Sequence, residues 1–133
     1  MKLEGLSICF HTTKVEECKE FYVKYFSGEI IFDCGWYVSI VFNKERCLTL
    51  QFMIPQDDTP VYGEKGVTLN LGVKDVDAEY QRLIVENKLP VQRDLQDQPW
   101  GDRSFTIFDP LGNTLYIYSD REMSDEYKEA VKQ

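Results

Sequence analysis

The sequence predicts an α+β fold: two βαβββ modules in tandem, forming a curved sheet cup with helices outside. Three observations predict it. The order of elements repeats once along 133 residues, at a period of about 60 residues. A stretch rich in Pro and Gly separates the two halves. The strand-like runs alternate two unlike sets of side chains, aliphatic on one face and hydroxyl, amide or aromatic on the other.

The first strand runs from Leu6 to Thr12, with Leu6, Ile8 and Phe10 opposite Ser7, Cys9 and His11. Thr13-Lys14-Val15-Glu16 fits a capping box. Val15, Cys18, Phe21, Tyr22, Tyr25 and Phe26 then recur at helical spacing up to Ser27-Gly28. Strands follow at Glu29–Asp33, Trp36–Phe42 and Cys47–Met53. Ile54–Gly66, with Pro55, Pro60, Gly63 and Gly66, reads as a linker. The order then repeats: a strand at Val67–Val73, a helix capped by Asp75 with Val76, Tyr80, Leu83 and Ile84 inward, and strands at Pro90–Asp94, Arg103–Phe108 and Thr114–Ser119. Met123, Tyr127, Ala130 and Val131 suggest a closing helix. The expected organisation is one domain over 1–133: module one at about 3–54, linker 55–66, module two 67–119 and C-terminal helix 123–132.

Composition narrows the function. Hydrophobic residues are 43% and charged residues 29%, as in an ordinary globular chain. The formal net charge of −8 opposes binding to nucleic acid or anionic membranes. The N-terminus shows no apolar signal region and no long apolar span follows, so a cytoplasmic location and reduced thiols at Cys9, Cys18, Cys34 and Cys47 are expected. With His11 the single histidine, a metal site of several histidines is excluded.

Three stretches carry a family resemblance: HTTKVEECKEFYVKYF, LNLGVKDVDAEYQRL and QPWGDRSFTIFDPLGNTLYIY. The chain resembles the vicinal oxygen chelate superfamily, which contains glyoxalase I, extradiol dioxygenases and bleomycin-resistance proteins. Metal-using members carry His or Glu, sometimes Gln, at four cup-facing positions. The resemblance places Ser7, Gln51, Thr68 and Tyr116 there. A neutral phenol, two alcohols and an amide are poor ligands for a divalent cation. The resemblance therefore implies no metal, no cofactor and no catalytic residue, and a homodimer as in related proteins.

Alternation gives the rest of the candidate site. Leu6, Ile8, Phe10, Leu48, Leu50, Phe52, Leu69, Leu71, Leu115 and Ile117 are expected under the helices. Ser7, Cys9, His11, Thr49, Gln51, Met53, Thr68, Asn70, Thr114, Tyr116 and Tyr118 share the other face. Such a face suits a pocket wall; a solvated or dimer-facing surface is the alternative. Trp36, Tyr37 and Trp100 are further aromatics near strand starts or loops; Trp100, in the matched motif, is a stacking candidate, and Arg103 either shapes the cleft or pairs with a carboxylate. The ligand-binding set is Ser7, Cys9, His11, Trp36, Gln51, Thr68, Asn70, Trp100, Tyr116 and Tyr118. The expected function is metal-free binding and sequestration of a small cationic or aromatic molecule, as in bleomycin-resistance proteins. A glyoxalase-type lyase or isomerase, with other metal ligands or with His11 or Cys9 as catalyst, and a non-catalytic structural dimer are the alternatives.

Overall fold

A computed structural model describes residues 1–132. The chain divides after Glu64 into two compact units.

The first unit contains β1 (Ile8–His11), α1 (Val15–Phe26), β2 (Glu29–Asp33), β3 (Tyr37–Asn43) and β4 (Leu48–Met53). The sheet order is β1-β4-β3-β2, with β1 parallel to β4 and the other pairs antiparallel. Val15, Cys18 and Tyr22 of α1 are buried, as are Phe10, Val38, Ile40 and Phe52 of the sheet. The Tyr22 ring stacks on Phe52 at 5.6 Å, and Phe52 on Phe10 at 5.9 Å.

The capping box does not form. Lys14 is the N-cap and makes no side-chain cap bond. The Lys14 N–H instead donates to the Thr12 hydroxyl, and Glu16 is held by Lys19 at 2.9 Å. The Thr12 hydroxyl thus holds the chain at Lys14, one residue later than the motif places its N-cap, and the Glu16 carboxylate that the motif turns back to Thr13 is engaged by Lys19. At the other end Ser27 turns left-handed, and a Cβ on Gly28 would stand 2.6 Å from Ile40 Cγ2. The next strand therefore starts close beneath the helix, where only glycine fits.

Leu6, Ile8 and Leu48, expected under the helix, are exposed at 81%, 41% and 52%. Alternation identifies the face but not how far a 12-residue helix covers it. All five residues of β2 are exposed, as its edge position allows.

The second unit contains β5 (Thr68–Gly72), α2 (Val76–Tyr80) continued by a π-helical turn (Gln81–Glu86), β6 (Arg93–Gln98), β7 (Asp102–Phe108) and β8 (Thr114–Asp120). Its order, β5-β8-β7-β6, repeats the first unit's pattern, again with the first and last strands parallel. The Asp75 carboxylate accepts from the Ala78 N–H at 3.1 Å, the cap expected from sequence. The Ser119 hydroxyl accepts from the Val76 N–H and donates to the Val73 carbonyl, tying the helix start to β8. Val76, Leu83, Phe105, Ile107, Leu115 and Ile117 are buried.

The strand expected at Pro90–Asp94 lies at Arg93–Gln98. Its sequence, RDLQDQ, is that of a polar edge strand, and the apolar residues that suggested an earlier start precede the pairing. The C-terminal helix is one turn, α3 (Asp125–Lys128), rather than 123–132. Tyr127 reaches the Trp100 ring at 6.2 Å, whereas Ala130 and Val131 are exposed and give the helix nothing to pack. Gln133 lies outside the described residues. Both sheets with their helices make the fold α+β. Among the described residues no helix is long and apolar enough to cross a membrane.

Candidate functional site

The β7–β8 hairpin builds the site in the second unit. Its turn is Asp109-Pro110-Leu111-Gly112-Asn113. The buried Asp109 carboxylate accepts from the Leu111 N–H (2.9 Å), the Asn113 N–H (2.8 Å) and the Asn113 side-chain amide (2.9 Å). Gly112 supplies a positive φ of 78°. The turn sets the register that pairs Thr106 with Tyr116 and Ser104 with Tyr118. Phe105 and Ile107 pack beneath α2, so Asp102 and Ser104 lie on the opposite face with Tyr116 and Tyr118.

There Tyr116, Asp102, Trp100 and Ser104 form one network. The Tyr116 hydroxyl donates to the Asp102 carboxylate at 2.8 and 2.9 Å. Trp100 Nε1–H is shared between Asp102 Oδ2 and Tyr116 Oη, both at 2.9 Å. The Ser104 hydroxyl donates to Tyr116 Oη at 3.0 Å, and Arg93 donates to Ser104 Oγ at 2.8 Å. Asp102 is 8% exposed. A pocket of about 400 Å³ opens over the group, lined by Asn70, Trp100, Asp102, Tyr116 and Tyr118. The Tyr116 and Tyr118 rings lie 6.0 Å apart. Tyr118 also rests over Gly72, where a Cβ would meet its hydroxyl at 3.1 Å.

Burial pushes the Tyr116 phenol above its usual range; the Ser104 and Trp100 donors oppose that shift and the Asp102 acceptor adds to it. A phenol raised in the fold stabilises it below the unfolded pKa, near 10, and that contribution is lost as pH rises through the folded value. Tyr116→Phe is therefore expected to flatten the fall in stability above about pH 10. Urea midpoints measured across that range check this; a slope unchanged from wild type would show that the phenol is not held.

Four residues expected at the site thus meet in one pocket: Asn70, Trp100, Tyr116 and Tyr118. Thr68 is exposed beside Thr114, and it is Asn70 that stands across from Tyr116. In the first unit Cys9 stands across from Gln51. The Gln51 amide donates to the Ser39 and Thr49 hydroxyls, both at 3.2 Å. Burial raises the Cys9 thiol, which opposes a nucleophilic thiolate. Ser7 lines a separate pocket of about 240 Å³ with Gly5, Leu6, Cys47 and Thr49. His11 is half-buried, its carbonyl accepting from the Tyr62 N–H, and Trp36 is 42% exposed against the Tyr37 ring. Arg103 faces the helix side and pairs with Asp77 (3.0 Å) and Asp97 (3.3 Å). A further pocket, about 390 Å³, lies beside the Lys44–Glu29 ion pair, whose charges neutralise each other at 2.7 Å.

Sequence reasoning missed Asp102, Ser104 and Arg93. The signal was available in β7, where Asp102 and Ser104 alternate with Arg103 and Phe105 as the tyrosines do in β8.

The divalent metal implied by the superfamily does not fit these residues. The Tyr116 hydroxyl donates once and accepts twice within the protein, leaving it no role as a ligand. The Gln51, Ser7 and Thr68 groups are neutral. Among the described residues no three His, Cys, Asp or Glu side chains are grouped to hold a metal ion.

Comparison with known proteins agrees with the fold. The sequence model of the glyoxalase-like domain matches residues 6–122. TnmS3, an antibiotic binding protein from a Streptomyces species, superposes with a TM-score of 0.71 at 22% identity, covering 90% of this chain and 98% of that one. A lactoylglutathione lyase from Agrobacterium tumefaciens gives 0.69 at 19% identity, over 89% and 95%. A glyoxalase/bleomycin resistance protein/dioxygenase from Nocardioides gives 0.74 at 16%, over 92% and 87%. At these identities the likeness is one of fold. An uncharacterized protein of Mycobacterium tuberculosis is 43% identical over 51 residues, 38% of this chain and 29% of that protein. In its counterpart from Mycobacterium bovis the match spans 33% of the length. With the domain match running through nearly the whole chain, this protein belongs to the glyoxalase-like domain family, within the vicinal oxygen chelate superfamily.

Proposed function

We propose that this protein binds, without a metal, a small cationic or aromatic organic molecule and so sequesters it. The observation that carries the reading is the second-unit pocket, whose lining joins the aromatic rings of Trp100, Tyr116 and Tyr118 to the carboxylate of Asp102. Aromatic rings supply contact area at low entropic cost, and the carboxylate supplies orientation and charge. TnmS3, described as antibiotic binding, supports the reading as a protein of the same fold with such a use. A second copy of the chain as partner belongs to the same proposal; sedimentation at micromolar concentration checks it, and a monomer alone removes it.

The test is titration with 9-aminoacridine, followed by tryptophan fluorescence and calorimetry. Tyr116→Ala is expected to weaken binding about ten- to a hundred-fold while the protein stays folded. Full affinity in a folded Tyr116→Ala protein would remove Tyr116 from the site. A parallel titration of chelator-stripped protein with Ni, Zn, Mn and Fe(II) is expected to show no tight site. Tight binding of one ion per chain would overturn the metal-free reading.

A further inference from the structure

The hydrogen bonds around Tyr116 have a forced direction. A guanidinium only donates and a carboxylate only accepts. Arg93 donates to Ser104 Oγ, so the Ser104 proton must point on to Tyr116, and the Tyr116 proton to Asp102. The Trp100 N–H is committed to Asp102 and Tyr116. Every polar hydrogen on the Trp100 and Tyr116 side chains is thus turned toward the protein. They offer a ligand ring faces alone.

The pocket's remaining polar groups are the Asp102 carboxylate, the exposed Asn70 amide and the Tyr118 hydroxyl. No Lys, Arg or His lies among the lining residues. Among the described residues, no cationic side chain stands within 4.0 Å of the Asp102 carboxylate. Arg93 reaches Asp102 only through two hydroxyls, and its guanidinium rests on the Tyr116 ring, 5.4 Å from the centroid. A nearly buried carboxylate without a direct ion pair lines an aromatic pocket that is poor in donors.

Building on the binding reading above, we propose that the pocket selects an organic cation whose nitrogen carries alkyl groups, and that Asp102 determines this specificity. Such a cation needs no donor from the protein. It gains from ring faces and from a negative charge without a direct ion pair, whereas an anion meets that charge with no cation among the lining residues.

Three probes of one shape and different charge test the proposal: phenyltrimethylammonium, its uncharged isostere tert-butylbenzene, and benzenesulfonate. Binding is followed by tryptophan fluorescence. The expected order is the cation about ten-fold or more above the neutral probe, with the anion unbound. Asp102→Asn, which keeps an acceptor for Tyr116 and Trp100, is expected to remove the gap between the cation and the neutral probe; a gap kept in the folded variant overturns the proposal. If that variant does not fold, the wild-type gap should narrow as salt is raised; a gap indifferent to salt overturns the proposal. Equal binding of cation and isostere overturns the cation selectivity and leaves the aromatic-binding reading standing. Failure of all three probes to bind folded protein overturns both.

Discussion

Phe52→Ala is expected to destabilise the first unit by about 3–5 kcal/mol, the range for deleting a fully buried phenyl ring. Phe52 is 0% exposed and lies between Tyr22 of α1 and Phe10 of β1. It is the ring through which the helix and the parallel β1–β4 pair share one core. Its removal loses the transfer of the ring from water and leaves a cavity that the strand backbone cannot close. Urea unfolding followed by far-ultraviolet circular dichroism checks this, with the midpoint falling and the slope kept. A shift below about 1 kcal/mol would mean that the site collapses around the gap and that α1 is held by other contacts. Phe52→Leu should cost less, because most of the volume stays.

Asp109→Ala is expected to destabilise the second unit by about 2–4 kcal/mol, because three buried donors lose their acceptor together. Leu111 and Asn113 are 0% and 1% exposed, so water does not replace the carboxylate without opening the turn. Amide exchange at Leu111 and Asn113 should accelerate with the loss of stability. Asp109→Asn should fall between, since its amide oxygen still accepts. The variant should also weaken probe binding, because this turn aligns Asp102 and Ser104 of β7 with Tyr116 of β8. Wild-type stability in Asp109→Ala would show that the hairpin register is fixed elsewhere.

What the sequence made legible follows from what is local. Asp75 as a cap, the Asp109–Asn113 turn and the alternation in β8 rest on neighbours within a few residues, and the structure keeps all three. The capping box at Thr13–Glu16 failed on competition: Lys19 takes the Glu16 carboxylate, and the helix starts one residue later, with Lys14 as N-cap and its N–H on the Thr12 hydroxyl. The reach of α1 over its sheet is a matter of tertiary placement, which is why the exposure of Leu6, Ile8 and Leu48 was not readable. The site divides in the same way. Tyr116, Tyr118 and Trp100 stood out as aromatics in a recognisable motif. Asp102 was passed over as one acid among 23 acidic residues. Its burial, and the donors that converge on it, exist only once β6, β7 and β8 are side by side.

In both units the first strand lies against the last, pairing Ile8 with Leu50 and Thr68 with Thr114. As the chain leaves the ribosome, β1 and β5 must wait, unpaired, for nearly a whole module to be made. Closing so long a loop is slow compared with forming a hairpin. The antiparallel β2–β3–β4 and β6–β7–β8 meanders can assemble locally and offer a template edge to the waiting strand. The first unit receives its last strand at Met53, before any strand of the second has been translated. Nothing in its sheet has to wait for the second module, so synthesis itself separates two topologically equal modules that could otherwise exchange their first strands.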